Sequence, residues 1–308
     1  MESHCKISNV SYLFYLMRTY ILLILICSNS LLAQKVKNEF FALHNIIRGD
    51  STYNTFDKQV ELVKNAGFEG IEINQIESFD GMKTALDRFE FKGSYFYVKL
   101  QLGESIDNRL ESAINKLKGT NTIIAPYILA DNKRFKANSP EGDSEAIRLL
   151  QIISKWSKKS GLQVAIYPHF SFYVERTDHA LQLAKKINRK NVGLTFNLCH
   201  WLATTNSAER TLLKNHLKEI NPYLKMITIS GANDIISQKK SIFDDYILPL
   251  GTGNFDTYDL LKYMVKTIKY KKPIGVQCYN IKGSKPQLIK NTMTVWNGYK
   301  TRLENENK

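Results

Sequence analysis

The stretch GLQVAIYPHFSFYVERTDHALQLAKKINRKNVGLTFNLCHW, Gly161 to Trp201, contains a complete strand–helix–strand unit with polar groups at both strand ends. VAI and VGLTF are short apolar runs of the kind that parallel sheets bury on both faces. The first run stops on Tyr167 and His169, the second on Asn197 and His200. Such side chains are costly to bury for packing alone. In an α/β barrel the carboxyl ends of the strands form the floor of the active site, so the unit predicts both an architecture and a place for chemistry.

Outward from this unit, strand-like runs alternate with amphipathic helical patterns. The predicted strands are 40–44, 70–74, 94–102, 121–127, 163–169, 192–197, 224–230 and 273–279. Helical stretches follow at about 56–66, 79–90, 105–117, 143–160, 177–188, 207–220, 256–268 and 285–303, with apolar residues at i, i+3, i+4 spacing, as in Ile147, Leu150, Ile153 and Trp156. Eight strands alternating with eight helices predict a closed α/β fold, a single (β/α)8 TIM barrel. Asp256 or Thr257 is placed to cap the helix after Gly251 and Gly253. The longest insert, 230–257, follows strand seven and is expected to cover the site, which brings in Asn233 as a substrate contact.

Strand alternation selects the inward positions. Tyr167 shares a face with Ala165 and His169, Asn197 with Thr195 and Cys199, and Gln277 with Gly275 and Tyr279. His44 ends strand one, and Glu72 lies on strand two, where it could pair with Lys99. His44 and His169 also suit hydrogen-bonded core positions, and Tyr167 and Tyr279 suit packing. His179 and His216 fall on predicted helices and read as surface residues.

The first 33 residues read as an export signal: Lys6 and Arg18 precede the apolar block Tyr20 to Cys27, and Ala33 offers a cleavage site. The block is short for a membrane span, and Ile26 does not suit lipid attachment at Cys27. Cleavage leaves residues 34–308, near the size of one barrel, an exported periplasmic or extracellular location and no stable membrane anchor. It also removes Cys5 and Cys27, and Cys199 and Cys278 do not make a disulfide scaffold. The chain carries 43 basic and 29 acidic residues, net +14. The lysines are scattered over predicted helix faces and ends without a nucleic-acid-binding signature, so a nucleic-acid partner is not expected.

The segments KNAGFEGIEIN (64–74), VAIYPH (164–169), VGLTFNLCH (192–200), ILPLGTGNFDTYDLLKYM (247–264) and PIGVQCY (273–279) resemble the xylose isomerase-like barrels. That family includes sugar-phosphate isomerases, ketose 3-epimerases and endonuclease IV. The resemblance spans essentially the whole chain after the leader, and the last two segments look like a secreted, sugar isomerase-like branch. It implies a barrel acting on a carbohydrate. Metal-dependent members place Glu, Asp, His and Glu on strands five to eight around one dication; the matching positions here hold Tyr167, Asn197, Thr228 or Ser230, and Gln277. Neutral ligands lose most of the attraction for such an ion, so no metal cofactor is expected. The histidine three residues after the family's strand-six acid is retained as His200, and in related epimerases that position contacts substrate.

The expected function is proton transfer on a neutral sugar or keto-sugar: isomerisation, epimerisation, or elimination and hydration. His169 and His200 are the candidate base and acid, and Glu72 orients a histidine or serves as base. Asn197, Gln277 and Tyr167 are expected to bond hydroxyls and the developing oxyanion. His44 and Asn233 line the site, and Tyr279 and Trp201 offer flat faces to a sugar ring. Two readings compete: a non-catalytic carbohydrate-binding barrel, and a metal enzyme with a rearranged site built from His169, His200, Glu72 and His44. Phosphosugars are not expected as preferred ligands, because no arginine lies between Arg210 and Arg302; the alternative phosphate cradle is Lys282 with the Gly251 to Gly253 loop.

Overall fold

A computed structural model describes residues 35–131 and 134–306. The expected leader lies outside the described residues. The described residues fall into two units, 37–297 and the two ends, 35–36 with 298–306; in the second, the Val36 N–H donates to a Glu304 carboxylate oxygen at 2.9 Å.

Among the described residues eight parallel strands close on one another in sequence order, β1 against β2 through to β8 against β1. They are β1 (Phe40–Ala42), β2 (Ile71–Asn74), β3 (Gly93–Gln101), β4 (Ile123–Leu129), β5 (Val164–Ile166), β6 (Val192–Asn197), β7 (Leu224–Ile229) and β8 (Ile274–Val276). The connecting helices include α1 (Phe56–Asn65), α2 (Phe79–Arg88), α3 (Leu110–Lys116), α4 (Asp143–Lys159) and α5 (Thr177–Ile187). Next come α6 (Leu198–Thr204), α7 (Ser207–Thr211), α8 (Leu213–Ile220), α9 (Phe243–Tyr246), α10 (Thr257–Lys262) and α11 (Lys285–Asn305). The fold is therefore the (β/α)8 barrel that the strand–helix alternation predicts.

Period-two alternation divides each strand between two cores. Inward residues Phe41, Tyr95, Ala125, Ala165, Tyr167 and Met226 fill the barrel, and outward residues meet the helices. Phe40 stacks on Phe68 and on Trp296, with ring centroids 5.3 and 4.1 Å apart. The register partner of Phe41 on the neighbouring strand β8 has to be glycine: a Cβ on Gly275 would lie 2.3 Å from the Phe41 ring. Large and small residues at facing positions give the interior its density.

Several elements differ from the periodicity reading. Strands β5 and β8 are three residues each, so Tyr167, His169, Gln277 and Tyr279 stand on the loops just beyond them. The predicted helix 207–220 is broken at Leu212, where α7 ends; α7 begins with a capping box in which Asn206 and Glu209 exchange side-chain-to-backbone bonds. The short helix α6, which carries His200, begins directly at the end of β6. Of the two capping candidates at α10, Asp256 makes the bond, accepting from the Asp259 N–H at 2.8 Å.

The β7 loop folds back as an antiparallel bridge between Gly231 and Leu248. Buried Asp245 holds it together, accepting from Ser237 Oγ at 2.7 Å and pairing with Lys239 at 2.6 Å. Arg210 adds a second clamp, donating to Asp234, the Ile235 carbonyl and the Tyr246 hydroxyl. This bracing carries α9 over the carboxyl end of the barrel.

Candidate active site

The strand ends enclose a cavity of about 430 Å³. Glu72, Tyr167, His169, His200, Gln277 and Tyr279 all line it. Neutral amides from Asn45, Asn74 and Gln75 join them, and Phe243 and Ile247 of the β7 loop form part of the cover. Aromatic rings make up one wall: Tyr97 stacks on Tyr127 at 4.4 Å, Tyr167 meets Tyr97 edge-on at 4.8 Å, and Phe172 packs on Tyr127 at 5.2 Å.

Two imidazoles face each other in this cavity. The His169 and His200 rings are 4.0 Å apart between centroids, and Phe172 stacks on the other face of His169 at 3.9 Å. His169 Nδ1 lies 2.7 Å from the Phe170 carbonyl oxygen. A carbonyl accepts and never donates, so Nδ1 carries the proton and Nε2 of the neutral ring keeps a bare lone pair. His200 is buried, and neither of its ring nitrogens has a hydrogen-bond partner within the protein. Burial lowers the pKa of both rings, His169 to about 4 and His200 well below the usual range with a further push from His169. Both are neutral near pH 7.

Glu72 has the opposite bias. Its carboxyl is 3 % exposed and accepts from the His44 backbone N–H at 2.7 Å and from Asn74 Nδ2 at 3.0 Å. Burial outweighs these bonds and raises its pKa. An acid is thus held towards protonation on β2, across the barrel from an imidazole held unprotonated after β5. Environments that displace two titratable groups in opposite directions set up an acid–base pair.

Four expected site residues lie off this cavity. His44 turns outward to bond Gln59 through Nε2 at 2.7 Å and to lie against Phe56, because its position opens a 3-10 turn rather than ending β1. Asn197 sits beneath the cavity floor, donating to Thr195 Oγ1 at 2.9 Å and to the Pro168 carbonyl at 3.2 Å while accepting from Thr228 Oγ1 at 2.7 Å. Trp201 is carried by α6 to the helix side, where it packs on Phe196. Asn233 ties the β7 loop by exchanging bonds with Asp245 and Asn254.

Glu72 is not paired with Lys99, which is exposed two residues beyond Tyr97, the strand partner of Asn74. His179 is a buried group: Asp143 accepts from its Nε2 at 2.8 Å, and the same carboxylate takes Lys186 at 2.6 Å and the Tyr173 hydroxyl at 3.1 Å. Cys199 and Cys278 are free, buried thiols whose pKa burial pushes up to about 12.

The sequence reading missed Arg48, the one arginine in the cavity lining, which donates to Asn74 Oδ1 at 2.8 Å. It comes from the loop after β1, not from the β7 and β8 loops where a phosphate clamp is expected. Tyr97 and Tyr127 were legible as inward strand positions, but their convergence is set by the β3–β4 register, in which Tyr97 pairs with Ala125 and Lys99 with Tyr127.

The four positions that carry metal ligands in the family do not fit a dication here. Asn197 and Thr228 are bonded to each other, and Gln277 Oε1 accepts from Asn45 Nδ2 and from the Cys278 and Tyr279 N–H groups. Among the described residues no three His, Cys, Asp or Glu side chains are grouped to hold a metal ion.

The buried histidines also predict an acid limit to stability. His44 is 2 % exposed and its pKa falls to about 4 from 6.5, burial being the main cause and Arg48 adding to it against the Gln59 bond. Above pH 6.5 the ring is neutral whether the chain is folded or not. Between 6.5 and 4 the unfolded chain binds a proton that the folded chain refuses, so stability falls as the pH drops through that window, by roughly 3 kcal/mol for this residue. Urea titrations at pH 7, 5.5 and 4 check this: His44→Gln flattens the pH slope by about one proton, and an unchanged slope would contradict the assignment.

A closed eight-stranded barrel with its polar cavity at the strand carboxyl ends has the architecture of the (β/α)8 enzymes. Residues 60–297 match the family described as xylose isomerase-like TIM barrel, and the chain belongs to that family. Similar solved structures include D-allulose 3-epimerase from Methylomonas sp. (TM-score 0.64, 15 % identity, 86 % of this chain and 99 % of that one). Another is 3-keto-D-glucoside 4-epimerase from E. coli (0.62, 14 %, 84 % and 98 %). A third is the IOLI protein with a bound zinc atom (0.64, 16 %, 86 % and 98 %). At these identities the likeness is one of fold. Comparison with curated proteins yields no match.

Proposed function

We propose that this barrel is a sugar isomerase or epimerase-like enzyme that moves a proton beside the carbonyl of a neutral sugar or keto-sugar, without a metal ion. The observation that carries the reading is the pairing of His169, whose Nε2 lone pair is bare, with Glu72, whose carboxyl is biased towards its acid form. His169 Nε2 takes the proton from the carbon next to the carbonyl, the C–H electron pair becomes the enolate C=C, and the carbonyl oxygen becomes an oxyanion. A neutral N–H of His200 donates to that oxyanion. Glu72 returns a proton to carbon from the opposite side, collapsing the enolate, so that His169 ends protonated and Glu72 ionised until the pair re-equilibrates. Ordinary pKa values would place the proton on histidine first; burial pushes His169 down and Glu72 up, against that order.

The cavity chemistry suits a sugar. Asn45, Asn74, Gln75 and Gln277 supply neutral donors and acceptors for hydroxyls, and the Tyr97–Tyr127 wall supplies the apolar face that a pyranose ring prefers. The epimerases among the similar structures are named for related molecules, D-allulose and a 3-keto-D-glucoside, which supports the same substrate class. The expected export of the chain fits neutral rather than phosphorylated sugars.

The test is incorporation of solvent deuterium into a panel of neutral mono- and disaccharides and their keto forms, with and without chelator. Exchange at the carbon beside the carbonyl, unchanged by chelation, is expected, as is an unchanged thermal midpoint on chelation. Loss of exchange and of stability on chelation would overturn metal independence. Saturable sugar binding with no exchange anywhere in the panel would replace the enzyme by a carbohydrate-binding barrel, the reading favoured by the internally satisfied Asn197 and Gln277. Sugar phosphates preferred by more than about tenfold, 1.4 kcal/mol, would overturn the neutral-substrate reading and point to Arg48.

A further inference from the structure

The amino-terminal end of the barrel carries unbalanced positive charge. Two adjoining depressions there, of about 480 and 820 Å³, share Gln163. Lys37, Lys92, Lys225, Lys271 and Lys272 line the first, all at or just before the start of a strand. Lys155, Lys158, Lys159, Arg189 and Lys190 line the second, at the end of α4 and the turn into β6. Glu39 is the single carboxylate in either lining, and Lys92 takes it. The other nine cations make no ion pair among the described residues, whereas flank cations are neutralised, as in Lys116 with Asp80, Arg176 with Glu209 and Lys214 with Asp259.

The ammonium groups that are held in place meet only neutral oxygens. Lys225 donates to Gln163 Oε1 at 2.8 Å and to the Lys190 carbonyl at 3.2 Å, and Lys272 donates to the Leu224 carbonyl. Both have lowered pKa values from burial, Lys225 also from its neighbour Lys272. Helix C-terminal partial charges account for Lys158 and Lys159. Lys37, Lys225, Lys271 and Lys272 stand at strand starts and have no carboxylate partner among the described residues. An anion from outside would complete the charge balance.

We propose that this face docks the protein on a bilayer surface rich in anionic lipid, with lipid phosphates entering the two depressions. Charge points to that occupant: cations spread over two adjoining depressions, with a single carboxylate between them, match a surface of many phosphates better than one small anion. No helix of the described residues is long and apolar enough to cross a membrane, so the contact is one of surface. Neither depression is lined by an aromatic ring, the stacking platform that a single-stranded nucleic acid uses. With this end on the bilayer, the cavity of His169, at the opposite end of the strands, opens to water.

The test is sedimentation of the full chain with vesicles of phosphatidylcholine alone or with roughly a third phosphatidylglycerol; the preference between the two isolates charge from any contribution of the apolar block. We expect at least about tenfold stronger partitioning onto the anionic vesicles at low salt, lost near 0.5 M salt. Lys158→Gln with Lys159→Gln, Lys190→Gln and Lys271→Gln, all exposed positions, should reduce the preference below about threefold. A control with Lys58→Gln, Lys83→Gln, Lys240→Gln and Lys282→Gln, away from this face, should keep it. Thermal midpoints verify that both variants fold, and the Lys158→Gln, Lys159→Gln pair alone serves if the fourfold variant does not. Equal partitioning onto both vesicles, equal loss in the control, or abolition by millimolar inorganic phosphate would overturn the proposal.

Discussion

His169→Gln is expected to lower the rate of sugar deuterium exchange by roughly two to four orders of magnitude, the usual contribution of a positioned general base. The glutamine amide can still bond the Phe170 carbonyl but has no lone pair basic enough to take a proton from carbon. The loss should therefore fall on kcat, with KM little changed. Because burial holds His169 at about 4, the acid limb of the wild-type rate should lie near pH 4, where the ring takes its proton. That acid limb should vanish from the residual activity of the variant. Glu72→Gln should remove the alkaline limb, where the raised carboxyl ionises, and the two substitutions together should cost little more than either alone, since they break one proton path. A His169→Gln enzyme that retains half its exchange rate would remove His169 from the reacting atoms and shift the assignment to His200.

Phe41→Ala is expected to cost about 3–5 kcal/mol of folding free energy, read as a lowered urea midpoint. The ring is 1 % exposed, edge-on to Tyr95 at 5.5 Å, and fills the space that Gly275 leaves in the β8 wall. Gly275 itself has no side chain to move into the hole. The loss is a large part of the 5–15 kcal/mol by which domains are stable. A cost under about 1 kcal/mol would mean that the interior is not packed around this ring.

Sequence periodicity carries the barrel because each parallel strand is apolar on both faces and each helix on one, so a whole connection pattern is written as alternating periods of two and 3.6. The unit from Gly161 to Trp201 is the clearest case, and its strand ends locate the cavity. The period does not show where a strand stops. The chain turns into a 3-10 helix after Ala42, and His44 shares the outward parity of Phe40 rather than the inward parity of Phe41 and Leu43, so the ring goes to Gln59. Trp201 fails for the same kind of reason: α6 begins immediately after Asn197, and a helical turn carries His200 to the cavity and its neighbour away from it.

By itself, then, the sequence determined the closed barrel, the end of it that carries polar groups, and the neutral character of Tyr167, Asn197 and Gln277, because those depend on residue type and on period. Only the tertiary structure decided which polar groups share a cavity and which satisfy one another. It placed Asn197 in bonds with Thr228 and Pro168 below the floor, brought Arg48 in from a distant loop, and left both His200 nitrogens without a partner. The physical reason is that hydrogen-bond satisfaction and desolvation are sums over neighbours from several strands at once. Those sums bias Glu72 towards its acid form and His169 towards its neutral form.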